Sequence, residues 1–430
     1  MFQTIGNIFR VADLRSRILF TLLMLVVFRL GSFVPVPGIN VAKLKEGIQN
    51  SNFFGFLDTF TGQALSNFSI FAMGIMPYIT ASIIVQLLSM DVIPKFAEWA
   101  KEGETGRRKL AQFTRYGTAL LSLIQAVGLS IAFNRSFGMI VNPTFFSYLV
   151  IAVTLTAGTV FLMWLGEQIT EKGIGNGISI IIFAGIVAGI PGAIEQTYVA
   201  KFTGTQVNYF LNVVILLIMA IVVVAIIAGV IFIQQGVRKI PIQYAKRVVG
   251  RRMYGGQSTH LPLKVNSAGV IPVIFAISIV IFPSTIAGFW QGNPVANWVI
   301  NNFTIQAPLG MFIYVLLIIA FSYFYTFVQI NPVQMAENMQ KNGGFIPGIR
   351  PGKNTAVYIT RVLNRITLTG AIFLAAVAVL PVFFTTVAGL PHAVRIGGTS
   401  LLIVVGVALE TMKQIESQLI KRHYEGFIKK

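Results

Sequence analysis

Apolar residues along this chain come in long unbroken runs separated by short polar stretches. A helix needs about 20 mostly apolar residues to cross the roughly 30 Å hydrocarbon core of a bilayer. Ten runs are of that order: 18–34, 68–90, 116–134, 145–166, 175–191, 210–233, 267–289, 308–330, 366–387 and 396–412. The fifth, NGISIIIFAGIVAGI, is short and rich in glycine, and the tenth, IGGTSLLIVVGVALETM, is also short. A stretch such as VVILLIMAIVVVAIIAGVIF does not alternate apolar with polar, so it does not fit the strands of a transmembrane barrel. Lipid offers a backbone no hydrogen-bond partner, and a helix satisfies its own. The pattern therefore predicts an all-α polytopic membrane protein with ten transmembrane helices.

Ten spans invite a search for two halves of five. The second span reads Gly74-Ile75-Met76-Pro77-Tyr78-Ile79, and the seventh reads Gly269-Val270-Ile271-Pro272-Val273-Ile274. Both fit G-x-x-P-x-I. The fifth span carries Gly177-Ile178-Ser179-Ile180-Ile181-Ile182 and the tenth Gly398-Thr399-Ser400-Leu401-Leu402-Ile403. Both fit G-x-S, two aliphatics, then Ile. Five is odd, so two such halves run in opposite directions across the bilayer. Inverted repeats place their working site near the midplane, often at helices interrupted by Gly or Pro. Pro77 and Pro272 each lack an N–H and are expected to bend their helices. The repeat thus nominates Ile79, Ile182, Ile274 and Ile403 as facing one another at the centre, against the plainer alternative of packing or lipid-facing residues.

Composition agrees with the pattern. Hydrophobic residues make up 55% of the 430 and charged ones 11%, against about 25% charged in a soluble domain. Disordered chains are poor in aliphatic and aromatic residues, which excludes that class too. There is no cysteine, hence no disulfide or thiolate chemistry, and His260, His392 and His423 are too scattered for a metal cluster. The net charge is +19. Lys and Arg crowd into 1–17, the loops after spans two, four, six and eight, and the C-terminal tail. The other side keeps only Lys43, Lys45, Arg135, Lys201 and Arg395. The positive-inside rule then puts both termini in the cytoplasm. No small-x-small cleavage site follows the first run, so it reads as a permanent span rather than a signal peptide. The chain divides into a cytoplasmic N-terminus (1–17), a first half (18–191), an outer linker (192–209), a second half (210–412) and a cytoplasmic tail (413–430). The second half holds cytoplasmic loops at about 236–265 and 331–365.

Ion-coupled transporters and pumps carry ionisable groups inside the membrane. Here Glu167 and Glu410 sit at span ends, within reach of water. Arg29, in the outer part of the first span, either snorkels outward or pins a neighbouring helix. A secondary transporter of small solutes shares the inverted repeat but calls for paired midplane polar groups, which are missing. An intramembrane enzyme is disfavoured for want of G-x-x-x-x-G-K-[ST], H-E-x-x-H, G-x-S-x-G or any histidine within a span. An isoleucine-lined centre suggests instead a hydrophobic constriction that blocks water and ions by dewetting. Residues 53–67, FFGFLDTFTGQALSN, are too short and too polar to span, and read as a surface loop, an interfacial helix or a re-entrant element. The 236–265 loop gathers Arg238, Lys239, Lys246, Arg247, Arg251, Arg252 and Lys264, and the 331–365 loop carries Arg350. Tyr244, Tyr254, His260 and Phe345 interleave with these charges. Such loops suit anionic lipid, an acidic protein or ribosomal RNA phosphate.

Several stretches resemble the SecY family, the channel subunits of the bacterial protein translocase. They include FRLGSFVPVPGI, FAMGIMPYITASIIVQLL, KEGETGRRKLAQFTRYGT, FLMWLGEQITEKGIGNGISIIIFAGIVAG, YAKRVVGRR, QSTHLPLKVNSAGVIP, GFIPGIRPG and GGTSLLIVV, spread over almost the whole chain. The resemblance implies an hourglass pore between two five-helix halves in a bacterial cell membrane, with no cofactor. Its waist would be Ile75, Ile79, Ile182, Ile274 and Ile403. A plug would include Gly55, Phe56, Leu57, Thr61 and Gly62. A lateral gate between spans two–three and seven–eight would use Thr80, Gln125 and Asn266. Arg238, Lys239, Lys246, Arg247, Arg251, Arg252 and Arg350 would dock the ribosome and the SecA motor. The resemblance also implies SecE and SecG subunits, and signal peptides and nascent polypeptides as clients.

Overall fold

A computed structural model describes residues 11–44, 58, 61–89, 93–202, 209–244, 247–249, 252–254, 258–287, 290, 293–305, 307–387 and 398–428. The helices of the first half include α1 Ala12–Gly31, α2 Met76–Leu88, α3 Pro94–Lys101, α4 Glu104–Phe137, α5 Phe145–Lys172 and α6 Gly177–Phe202. The second half starts with α7 Tyr209–Gln235. The strands β1 Val237–Tyr244, β2 Arg247–Val249, β3 Arg252–Tyr254 and β4 Ser258–Lys264 follow it. After them come α8 Ile271–Ala287, α9 Pro294–Asn302, α10 Pro308–Gln329, α11 Pro332–Lys341, β5 Gly344–Phe345, α12 Lys353–Val387 and α13 Gly398–Ile428. Each of the ten expected spans overlaps one helix, α1, α2, α4, α5, α6, α7, α8, α10, α12 and α13, although α2 covers only part of its run.

Packing repeats between the halves. In the first, α2 lies on α4, α4 on α5, α5 on α6, and α1 on α5 and α6. The second repeats this with α8 on α10, α10 on α12, α12 on α13, and α7 on α12 and α13. The halves meet where α2 and α4 touch α8 and where α6 touches α7 and α13. One apolar core runs through both, from Phe28 and Leu162 to Ile318 and Val407. Large apolar side chains such as Leu22, Leu120, Val153, Leu217 and Phe312 cover the outside of the helices. Water would penalise such a surface, whereas acyl chains do not.

The second span departs from expectation. Only Met76–Leu88 is helical, and 61–75 is a chain of turns with a short bridge from Pro35 to Ser69. The amides of Val36 and Ile70 donate to Phe68 and Val34 carbonyls, each at 3.0 Å. Irregular backbone survives at membrane depth where protein buries it. Leu65, Phe68, Phe71 and Ala72 are accordingly buried. Pro77 therefore does not bend a helix. It lies in the first turn of α2, where its missing N–H has no intrahelical partner to lose. Pro272 likewise stands second in α8. The expected tail at 413–430 continues the last helix as far as Ile428, and α6 extends the fifth span into the linker as far as Phe202.

The two basic loops are also more ordered than a loop reading suggests. Strand β1 pairs antiparallel with β4, from Val237↔Lys264 to Gln243↔Ser258. On its other edge β1 pairs with β5, through Gln243↔Phe345 and Tyr244↔Gly344. Ile240, Ile242 and Leu263 on the sheet pack with Met339 of α11, Ile346, and Ile359 and Leu363 of α12. The two loops thus form one platform with its own apolar core.

Candidate pore, seam and platform

The repeat motifs all open helices. Ile79 and Ile274 are the fourth residues of α2 and α8, and Ile182 and Ile403 the sixth of α6 and α13. Starting a helix at the centre fixes where its first inward side chains point, because successive residues step round the axis about 100° at a time. The result is one cavity of about 20 Å³, lined by Ile75, Ile79, Ile182, Ile274 and Ile403 together with Thr61, Gly74, Met76 and Ile277. That is room for about one water, which would find almost no polar partner there. Each of the five isoleucines is buried. Both halves contribute, so parting them enlarges the hole.

Of the expected plug residues, Gly55, Phe56 and Leu57 lie outside the described residues. Thr61 and Gly62 stand at the root of the 61–75 turns. The Thr61 hydroxyl donates to the Asp58 carbonyl at 3.1 Å and accepts from the Leu65 amide at 3.3 Å. The Asp58 carboxylate accepts from the Ser66 amide at 2.8 Å.

The expected gate residues lie near the seam between halves, but no hydrogen bond joins them. Thr80 donates to the Met76 carbonyl of its own helix at 3.1 Å, and Asn266 donates to the Gly269 carbonyl at 2.9 Å. Gln125 lies on α4, half-buried. Other polar groups cross the seam instead. Tyr325 of α10 donates its hydroxyl to the Gln86 side-chain oxygen of α2 at 3.0 Å, and the Ser278 hydroxyl of α8 lies 3.8 Å from the Met76 sulfur. Tyr325 is held among Phe275 and Phe324, with ring centroids 5.3 and 5.9 Å away. Sequence reasoning missed this pair, although Gln86 was a visible signal as the amide within the apolar run of α2.

On the platform, Arg238 and Lys239 stand exposed on β1, and Arg350 is exposed after β5. Arg247 and Arg252 belong to the β2–β3 hairpin, where Arg247 pairs with Tyr254 and Val249 with Arg252. Lys246 and Arg251 lie outside the described residues. Among those described, no group of His, Cys, Asp and Glu is arranged to hold a metal.

The SecY family profile matches residues 69–412. The chain belongs to the SecY family. Protein translocase subunit SecY of Halalkalibacterium halodurans is 66% identical over the full length of both chains, and that of Bacillus subtilis is 61% identical, again over the full length. SecY-like folds are also found among solved structures. A protein-conducting channel superposes with a TM-score of 0.62 at 18% identity, covering 94% of this chain and 93% of that one. A SecY whose plug domain is described as stabilising the closed channel gives 0.61 at 19% identity, with 94% and 92% covered. Sec61 in a canine ribosome–channel complex gives 0.59 at 18% identity, with 94% and 93% covered. The SecY fold is ten-span and all-α, and the helices here are consistent with it, the described strands being confined to the platform.

Proposed function

We propose that this chain is the central protein-conducting subunit of a bacterial Sec translocase. It passes unfolded polypeptides across the membrane and releases apolar segments sideways into lipid. The observation that carries the reading is the closure of five isoleucines, drawn from both halves, on one water-sized cavity. Branched aliphatic groups exclude ions by dewetting, yet offer a passing chain no specific hydrogen bond to hold it. A signal sequence, with an apolar stretch of about 7–15 residues, would enter between α2 and α8 and replace their contacts. The halves would part, and the turns behind the ring would loosen. A segment then partitions by composition: Leu, Ile, Phe and Val gain about 0.3–0.6 kcal/mol each at the helix centre, and a charge costs about 2.5–3.5 kcal/mol.

The platform is the docking surface for a motor of the SecA type and for the ribosome, supported by the exposure of Arg238, Lys239 and Arg350. SecE- and SecG-type subunits and anionic lipid complete the surroundings. The charge asymmetry favours both termini in the cytoplasm. Replacing Ile79, Ile182, Ile274 and Ile403 together with Gly in the purified complex should make planar bilayers leak ions without any client present. Unchanged conductance in a properly assembled complex would refute the seal.

A further inference from the structure

Arg29 is a guanidinium in the last turn of an apolar span, where a charge is costly unless its donors are met. It makes no ion pair among the described residues. Nor does it simply reach for outer water. Its Nη1 donates to the carbonyl of Gly62 at 2.6 Å, and its charged carbon stands 4.6 Å from the centre of the Phe33 ring. A charged donor on a carbonyl is among the stronger hydrogen bonds, and an aromatic face answers part of the remaining charge.

Gly62 is clamped from the other side too. Its φ of +66° is one that side chains disfavour, and a Cβ there would stand 2.9 Å from the Cα of Gly185 on α6. The turn is thus gripped between α1 and α6, two helices of the same half. The residue before it, Thr61, lines the isoleucine cavity. What Arg29 holds is therefore one residue from the constriction.

We infer that Arg29 is a positioning residue that fastens the 61–75 turns in their resting place, using the Gly62 carbonyl as its catch. When the turns move, the guanidinium loses its acceptor within the membrane. The resting arrangement is favoured by that difference. The inference rests on the proposed channel function and adds to it the residue that biases the seal shut.

Two readouts on the purified, assembled complex test it. The chain has no cysteine, so Thr61→Cys gives a single thiol at a site that is buried at rest. Labelling by a membrane-impermeant thiol reagent should be about tenfold faster or more in Arg29→Gln, the loss expected for one charged hydrogen bond. Arg29→Lys, which keeps the charge but not the planar fork, should fall between parent and Gln. Resting ion conductance should rise in the same order. Gly62→Ala, which pushes the turn off Gly185, should also raise both, and adding Arg29→Gln to it should do little more, because a turn already displaced at Gly62 no longer offers its carbonyl to the guanidinium. Parental labelling and conductance in Arg29→Gln would overturn the inference, as would fully additive effects in the pair. The ring variant serves as reference. If it leaks and Arg29→Gln does not, only the catch fails; if it does not leak, the channel reading fails with it.

Discussion

Isoleucine suits the proposed waist because branching at Cβ leaves its side chain few rotamers. A ring of such groups keeps its shape until something pushes it. The backbone around it is fitted as closely. Gly158 of α5 meets the carbonyl oxygen of Ile70, leaving no space for a side chain. Filling such a position costs about 1–3 kcal/mol where a core must shift. Gly158→Leu should therefore lower the thermal unfolding midpoint of the detergent-solubilised complex by several degrees. An unchanged midpoint would mean that the 61–75 turns are not seated on α5. Ile79, Ile182, Ile274 and Ile403 were legible in the sequence because the same short motif stands in corresponding helices of both halves, whereas Ile75 came only from the family resemblance. The hydrogen-bond partners of Arg29 were not, since the acceptor is a backbone carbonyl and leaves no mark on the residue type.

Among elements, α2 is held to the other half by few polar contacts. In its middle Ile79, Ala81 and Ile83 are apolar and the Thr80 hydroxyl donates within its own helix, while near its end Gln86 accepts from Tyr325. Such bonds within membranes average about 0.6 kcal/mol. Tyr325→Phe keeps the ring among its aromatic neighbours and removes only the hydroxyl. It should let slightly less apolar test segments exit into lipid, by about one leucine's worth. Measuring the integrated fraction of a graded segment series would check this, and an unshifted midpoint would rule the bond out as a seam contact. The extent of the second helix was not legible. The run FSIFAMGI before it is as apolar as a helix, and periodicity does not separate helix from buried irregular backbone. Gly74 three residues ahead of Pro77 was the available hint, a positive φ before a helix start. The sheet was more readable than the loop reading allowed. Ile240 and Ile242 stand two apart, as do Leu261 and Leu263, which is the period of a half-buried strand, but Pro241 and Pro262 between them count against one in a sequence reading. Long basic stretches drew attention to charge instead.

At the scale of the whole molecule, two similar halves face each other and differ mainly in what hangs between their helices. The first half carries the turns behind the ring, and the second carries the platform. Arg350 stands exposed next to β5, its carbonyl accepting from Thr355 at 3.1 Å. Arg350→Glu should therefore spare folding while reversing the local charge. If the platform docks the motor as proposed, motor-driven export should fall by about tenfold or more, the cost of one unfavourable charge at such a contact, with less effect on ribosome-coupled insertion. Equal loss of both, measured on the same clients, would indicate a general defect. The platform has a mechanical consequence. Its strands connect to α7 and α8, and its core is completed by α11 and α12, all in the second half. A machine docked there, as proposed, would hold one leaf of a double door and leave the other free to swing.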